Sequence, residues 1–251
     1  MNDANATAAR GKVRIEAGAK RVRAYLAGHL VADTTRPLYV WEIPYFPTYY
    51  LPAADVVATL VDTGEITRSP SRGDGHQHDV KVASATAPGA ALTFPDSPFE
   101  ELRDHVKLDW DAMDAWFEED EEVFTHPRSP TTRVDILPSS RHVKVLKGDE
   151  VLAESTKAHV LHETHLPPRW YIPKVDVRMD SLTLSETVTH CPYKGTTVHY
   201  SSTDGTKDIA WSYPAPLPES IRVAGLVSFY PDKVTVLVDG VDVNQDGKSK
   251  A

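Results

Sequence analysis

Residues Val13 to Val56, VRIEAGAKRVRAYLAGHLVADTTRPLYVWEIPYFPTYYLPAADV, lie without a gap over Val134 to Val177, VDILPSSRHVKVLKGDEVLAESTKAHVLHETHLPPRWYIPKVDV. Eleven of the 44 positions are identical, where average composition gives about three by chance. The identities include Glu42 with Glu163, Pro47 with Pro168, Tyr50 with Tyr171, Pro52 with Pro173 and Asp55 with Asp176. With one inserted residue the match runs on. Thr67-Arg-Ser-Pro-Ser-Arg-Gly73 lies over Thr189-His-Cys-Pro-Tyr-Lys-Gly195, then Phe94-Pro95 over Tyr213-Pro214, and Trp110 over Phe229. An internal repeat of this period means two copies of one structural unit. We place the first at 13–126 and the second at 134–240, joined by a polar linker at 127–133, with flexible tails at 1–12 and 241–251.

Within each copy the pattern is mostly β. Val22–Leu26 and Leu30–Ala32 flank Ala27-Gly28-His29 as a hairpin, and Val143–Leu146 with Val151–Ala153 repeat it. Short turns between extended, half-apolar runs carry that signature. Thr196–Tyr200 pairs with Ile209–Tyr213. Val227–Tyr230 and Val234–Val238 are expected as a closing hairpin. Ser97-Pro-Phe-Glu100 has the form of a capping box with proline at the first helical position. It predicts one short helix, with a shorter counterpart at Pro218 to Ala224. Met113, Trp116 and Phe117 predict an extra helix over Asp111 to Glu119 in the first copy only.

Composition narrows the function classes. The chain has 251 residues, 27 Lys+Arg against 36 Asp+Glu, and a formal charge of −9. That balance speaks against nucleic acid as a partner. No apolar run approaches the ~18 residues of a membrane helix. The first dozen residues lack the apolar core of a secretory signal. A single Cys cannot close an internal disulfide, which fits a reducing cytoplasm. The repeat leaves a homodimer possible as a further assembly.

The set Cys191-Pro-Tyr-Lys-Gly195, Asp208-Ile-Ala-Trp-Ser-Tyr-Pro214 and Ile221-Arg-Val-Ala-Gly-Leu-Val-Ser-Phe-Tyr230 resembles the bacterial domain-of-unknown-function family 427. Val134–Arg141 and Met113–Glu122 resemble the linker region of its tandem members. The resemblance covers nearly all of the chain after Gly11. It implies a small β unit of two crossed antiparallel sheets, similar to the β-tent. The family's other label is that of a nucleotidyltransferase, yet no P-loop, dinucleotide GxGxxG or GxSxG elbow occurs here. A fold carries over from such a resemblance, and a reaction does not.

Site candidates gather around the second copy's turn. Cys191 is the lone thiol, three residues from the Lys194 cation, which favours thiolate. The first copy has Ser69 there, so the fold needs the turn, and the thiol serves at most one unit. Trp170, Tyr171, Tyr193, Trp211 and Tyr213 are expected with Cys191 and Lys194 as the aromatic wall of a small-molecule pocket. For an enzyme of transferase or hydrolase type, the catalytic candidates are Cys191 and Glu163, with His190, His162 or His165 as base. Glu42 with Arg36, and Glu163 with Lys157, are candidate ion pairs across a hairpin. A structural or dimerising module is the remaining alternative. His159, His162 and His165 are three apart, a spacing unsuited to metal. Asp242–Gly247 opens like a calcium loop but lacks room for the closing glutamate. We expect no metal and no cofactor.

Overall fold

The computed structural model describes residues 13–244. The chain divides between Ser129 and Pro130. In the first unit a seven-stranded antiparallel sheet runs in the order Arg14–Ala17, Leu38–Trp41, Thr48–Pro52, His105–Leu108, Ala85–Thr93, Gly73–Val82, Thr59–Ser69. A four-stranded sheet contains Glu121–Val123, Ala115–Glu118, Val22–Leu26 and His29–Thr34. The second unit repeats this strand by strand. Val134–Pro138, His159–Glu163 and Arg169–Tyr171 form the first part of the large sheet. A bridge from Ile172 to Val227 leads to Val227–Phe229, Ala210–Ser212, Val198–Ser202 and Leu182–Leu184. The pairing of Leu51 with Val106 is its counterpart in the first unit. The smaller sheet holds Glu150–Ser155, Val143–Lys147, Thr235–Val238 and Val241–Asp242.

Alternation along these strands makes the two sheets share a core. Val143, Val145 and Val236 from the small sheet meet Val160, Trp170 and Phe229 from the large one. Val22, Ala24 and Trp116 meet Tyr39, Tyr49 and Leu108 in the first unit. Apolar residues at every second position bury one face of each sheet, the arrangement expected of a tent-like unit.

The identities at Asp55 and Asp176 have a common cause. Thr34 Oγ1 donates to Asp55 at 2.7 Å, and Ser155 Oγ donates to Asp176 at 2.6 Å. The same hydroxyls accept from the amides of Arg36 and Lys157 at 3.0 and 2.9 Å. Each aspartate thereby ties the one-turn helix Ala53–Asp55 or Lys174–Asp176 to the end of a strand.

Several expectations are corrected. Ala115–Glu118 is a strand, not part of an extra helix, and it matches Thr235–Val238: Glu118 faces Val22 as Val238 faces Val143. The sheet edge offered by Val22–Leu26 outweighs a helical pattern only a few residues long. Ser97 accepts from the Phe99 amide, but only the single turn Glu100–Leu102 follows. Its counterpart, Pro218–Val223, is longer, not shorter. Val227–Phe229 and Thr235–Val238 are not a hairpin, because they lie in different sheets. The register makes Leu108, not Trp110, the partner of Phe229, since Val106 matches Val227. Trp110 then matches Pro231. The second unit also runs past 240. Val241–Asp242 is a strand, and Asn244 Nδ2 donates to the Pro231 and Val234 carbonyls. The rest of the expected tails, 1–12 and 245–251, lies outside the described residues. No helix among the described residues is long and apolar enough to cross a membrane.

Candidate functional site

Strand pair His159–Glu163 and Arg169–Tyr171 is a wall with a cavity on each side. Successive side chains point to opposite faces. Val160, His162 and Trp170 face a cavity of about 830 Å³ inside the second unit. Leu161, Glu163 and Tyr171 face a smaller pocket of about 240 Å³. Arg169 borders both, with Leu166 and Pro167.

The large cavity lies between the two sheets. Val145, Val160, Trp170, Phe229, Val236 and Val243 give it an apolar interior. Arg141 caps Trp170, its guanidinium carbon 5.5 Å from the ring centre, and its Nε donates to Asp239 at 2.6 Å. In the first unit the same space is filled. Tyr39, Trp41 and Tyr49 stand where Val160, His162 and Trp170 stand in the second. Trp116 takes the place of Val236, and Trp110 that of Pro231. Trp110 stacks on Trp116 with centroids 4.9 Å apart and planes 3° apart. Tyr49 packs 5.7 Å from Trp116 and 5.6 Å from Tyr39. Spaces of about 200 and 380 Å³ border these rings, each less than half of the second unit's cavity. The first unit also carries a carboxylate there. Glu118, 4% exposed, accepts from Tyr49 Oη and from Lys20, each at 2.5 Å; the second unit has Val238 and Arg141 in those places.

The smaller pocket holds a buried ion pair among aromatic side chains. Lys194 Nζ donates to Glu163 Oε2 at 2.5 Å, and the two side chains are 11% and 9% exposed. Burial disfavours the Lys194 ammonium, but Cys191 and then Glu163 beside it outweigh that and hold its pKa above the usual lysine value. Burial pushes the Tyr171 phenol up to about 12, and its oxygen accepts from Trp211 Nε1 at 3.3 Å. The turn behind Lys194 is closed by its amide donating to the Cys191 carbonyl at 3.3 Å, with Gly195 at φ +97°. Gly73 holds φ +90° in the first unit. A side chain there would be strained, which explains the glycine at both positions.

The expected ion pairs are therefore different ones. Glu163 pairs with Lys194 rather than Lys157. Glu42 accepts from Arg72 at 2.7 Å, Lys107 at 2.9 Å and Tyr50 at 2.8 Å, while Arg36 turns to Asp55. Arg72 and Lys194 are repeat equivalents, so a buried acid–base contact has been kept through the duplication. Ser228 stands where the first unit has Lys107.

Of the expected ligand wall, Tyr171, Lys194, Trp211 and Tyr213 come together around the small pocket. Trp170 lies across the wall in the large cavity. Cys191 and Tyr193 line neither. Cys191 is a half-buried free thiol packed against the Ile136, Tyr171 and Tyr213 cluster, and the Tyr193 carbonyl accepts from Ser220 Oγ at 3.0 Å. Glu163 and His162 face opposite sides of one strand, so they do not form an acid–base pair. His165 borders the large cavity, and His190 Nδ1 lies 2.9 Å from Thr196 Oγ1. Among the described residues no group of three or more His, Cys, Asp or Glu is placed to hold a metal.

Behind the small pocket, its lining residues Thr189 and Thr197 meet a histidine that no sequence pattern above points to. His199, 2% exposed, meets Thr197 Oγ1 at 2.9 Å and Thr189 Oγ1 at 3.1 Å through Nε2. Burial lowers its pKa, with Asp208 pulling the other way. His199 Nδ1 and Asp208 Oδ1 are both enclosed without a partner. The first unit has Gln77 and Gly89 at these places, by the match of the strand pairs. Asp208 holds φ +49° where Gly89 holds +61°. The signal was a histidine and an aspartate replacing glutamine and glycine between otherwise matching strands.

Two copies of a mainly β unit in tandem, one with a filled interior and one with an open one, define the class of protein. Residues 14–119 and 135–240 each match the family model of a domain of unknown function, DUF427, also labelled NTP_transf_9, and the chain belongs to this family. No curated relative matches the chain.

Proposed function

We propose that the protein binds a small molecule, and that the second unit holds it in the cavity between its two sheets. One observation carries this reading: the same scaffold occurs twice, and only the copy with Val160, His162 and Val236 keeps about 830 Å³ open. The first copy puts Tyr39, Trp41 and Trp116 in that space, so the tent can be filled with aromatic rings and still fold. Cavities of about 300–1,000 Å³ with apolar walls and a few polar groups are the usual form of small-molecule sites. Interiors normally close to crystal-like density, so an open one costs stability and calls for a use.

Cys191 is then a packing residue beside the site, and the protein works in a reducing cytoplasm where its thiol stays free. Titration with the neutral dye N-phenylnaphthylamine tests the proposal. One binding site is expected in the unaltered protein. Val236→Trp, which restores the first unit's residue, is expected to abolish it without lowering the unfolding midpoint. Absence of binding, or binding indifferent to Val236→Trp, refutes the reading.

A further inference from the structure

We infer that the ligand of the large cavity is an apolar molecule ending in a carboxylate, held by Arg169. This rests on the binding proposal above and adds the chemical class.

Among the described residues that line the cavity, the charged and titratable groups are Arg141, His162, His165 and Arg169, and none is an aspartate or glutamate. Arg141 already has Asp239 as its partner outside the lining. Arg169 has no carboxylate within ion-pair distance among the described residues. It is half-buried; on its strand it pairs with Leu161 and shares the face of Tyr171, toward the small pocket, and it also lines the large cavity where the two meet. A guanidinium at this border, without a carboxylate partner, is free to take an anion that enters the cavity. Its planar fork of donors matches a carboxylate in two parallel hydrogen bonds.

The first unit argues the same way by contrast. At the place of Arg169 it has Thr48, and at the place of Val238 it has Glu118, an acid turned inward and already matched by Lys20 and Tyr49. The copy with a filled interior thus balances its own charge, and the copy with an open interior leaves a cation over. The overall charge of −9 opposes nonspecific attraction of anions, so a preference for an acid has to come from the site. The walls behind Arg169, Val160, Trp170, Phe229 and Val236, offer no hydrogen bonds and suit a hydrocarbon or aromatic body.

Dansylaminoundecanoic acid and its methyl ester, which share one body and differ in the charge, test this. The full chain is expected to bind the acid at least about tenfold more tightly than the ester, the scale of one charge-assisted contact. Arg169→Gln is expected to bring the acid down to the ester's affinity and leave the ester unchanged. Arg178→Gln, which removes a paired cation of the same unit that does not line the cavity, is expected to leave the ratio near that of the unaltered protein. Equal affinities for acid and ester, or a ratio untouched by Arg169→Gln, overturn the carboxylate assignment while leaving the cavity a binding site. Binding of neither probe overturns the binding proposal itself. Unfolding midpoints of both variants establish that each is folded before its affinities are compared.

Discussion

Trp116→Val exchanges the residue that closes the first unit's interior for a valine, the type at the equivalent place in the second. Trp116 is 3% exposed, is stacked on Trp110 and packs against Tyr49. Truncating a buried tryptophan to alanine costs about 3–5 kcal/mol. The two methyl groups that valine adds over alanine restore about 1.5 kcal/mol, which leaves a loss of about 1.5–3.5 kcal/mol. The indole N–H also donates to the Trp110 carbonyl at 3.1 Å. That carbonyl keeps the Met113 amide as a donor, so no buried acceptor is orphaned and no further penalty is added. Urea unfolding of the full chain, followed by tryptophan fluorescence and circular dichroism, reads the loss as an earlier transition for the first unit. The enlarged space should then take up N-phenylnaphthylamine at a second site. A loss below about 1 kcal/mol, outside the range for a collapsed core, would refute the view that these rings are what fills the first interior.

Lys194→Met alone should cost about 3–5 kcal/mol by leaving Glu163 buried and unpaired, while the double change with Glu163→Leu should recover most of it; calorimetric unfolding of the three variants reads this, and additive losses would contradict a coupled pair. Cys191→Ser should lower the unfolding free energy by less than about 1 kcal/mol and leave probe binding unchanged, because Ser69 occupies the same turn and the thiol lines neither cavity; a larger loss in urea unfolding would mean that the sulfur fills a space serine cannot. The Thr34 hydroxyl, and then Arg36, hold the Asp55 carboxyl below its ordinary 3.8, so its contribution is complete above that value and is lost as pH falls through the depressed folded pKa. Asp55→Asn should flatten the acid limb of the stability–pH curve in that window and leave the neutral limb parallel to that of the unaltered protein.

The duplication was legible because its identities sit where geometry is least tolerant. Pro52, Asp55, Gly73 and their equivalents mark strand ends, a helix tie and a left-handed turn. Hairpins at 22–34 and 143–155 were legible from local alternation. The strand Ala115–Glu118 was not, since four residues with Trp116 and Phe117 adjacent fit a helical face as well as a pleated one, and its partner lies some 90 residues away in the chain. Glu163 and Lys194 both stand out in the sequence, yet Lys157 is the near neighbour of Glu163, whereas the turn that carries Lys194 comes from 31 residues away. The expected ligand wall is split between two faces for a simple reason. Trp170 and Tyr171 are adjacent, and adjacency on a strand puts them on opposite faces. Open space itself leaves no residue type behind. It became visible only when Val160 and Val236 were set beside Tyr39 and Trp116.

That contrast bears on how such a protein changes over generations. A single tent cannot be both well filled and receptive, and every enlargement of its hollow draws on the contacts that hold it together. Two copies in one chain release that constraint. On the proposed function, residues at 160, 162 and 236 are free to drift with the ligand in one copy, while 39, 41 and 116 are held to large rings in the other. Relatives with two copies should therefore vary most at the first three positions and least at the second three. Relatives with a single copy should show intermediate side chains at the matching places, since there one interior must serve both ends.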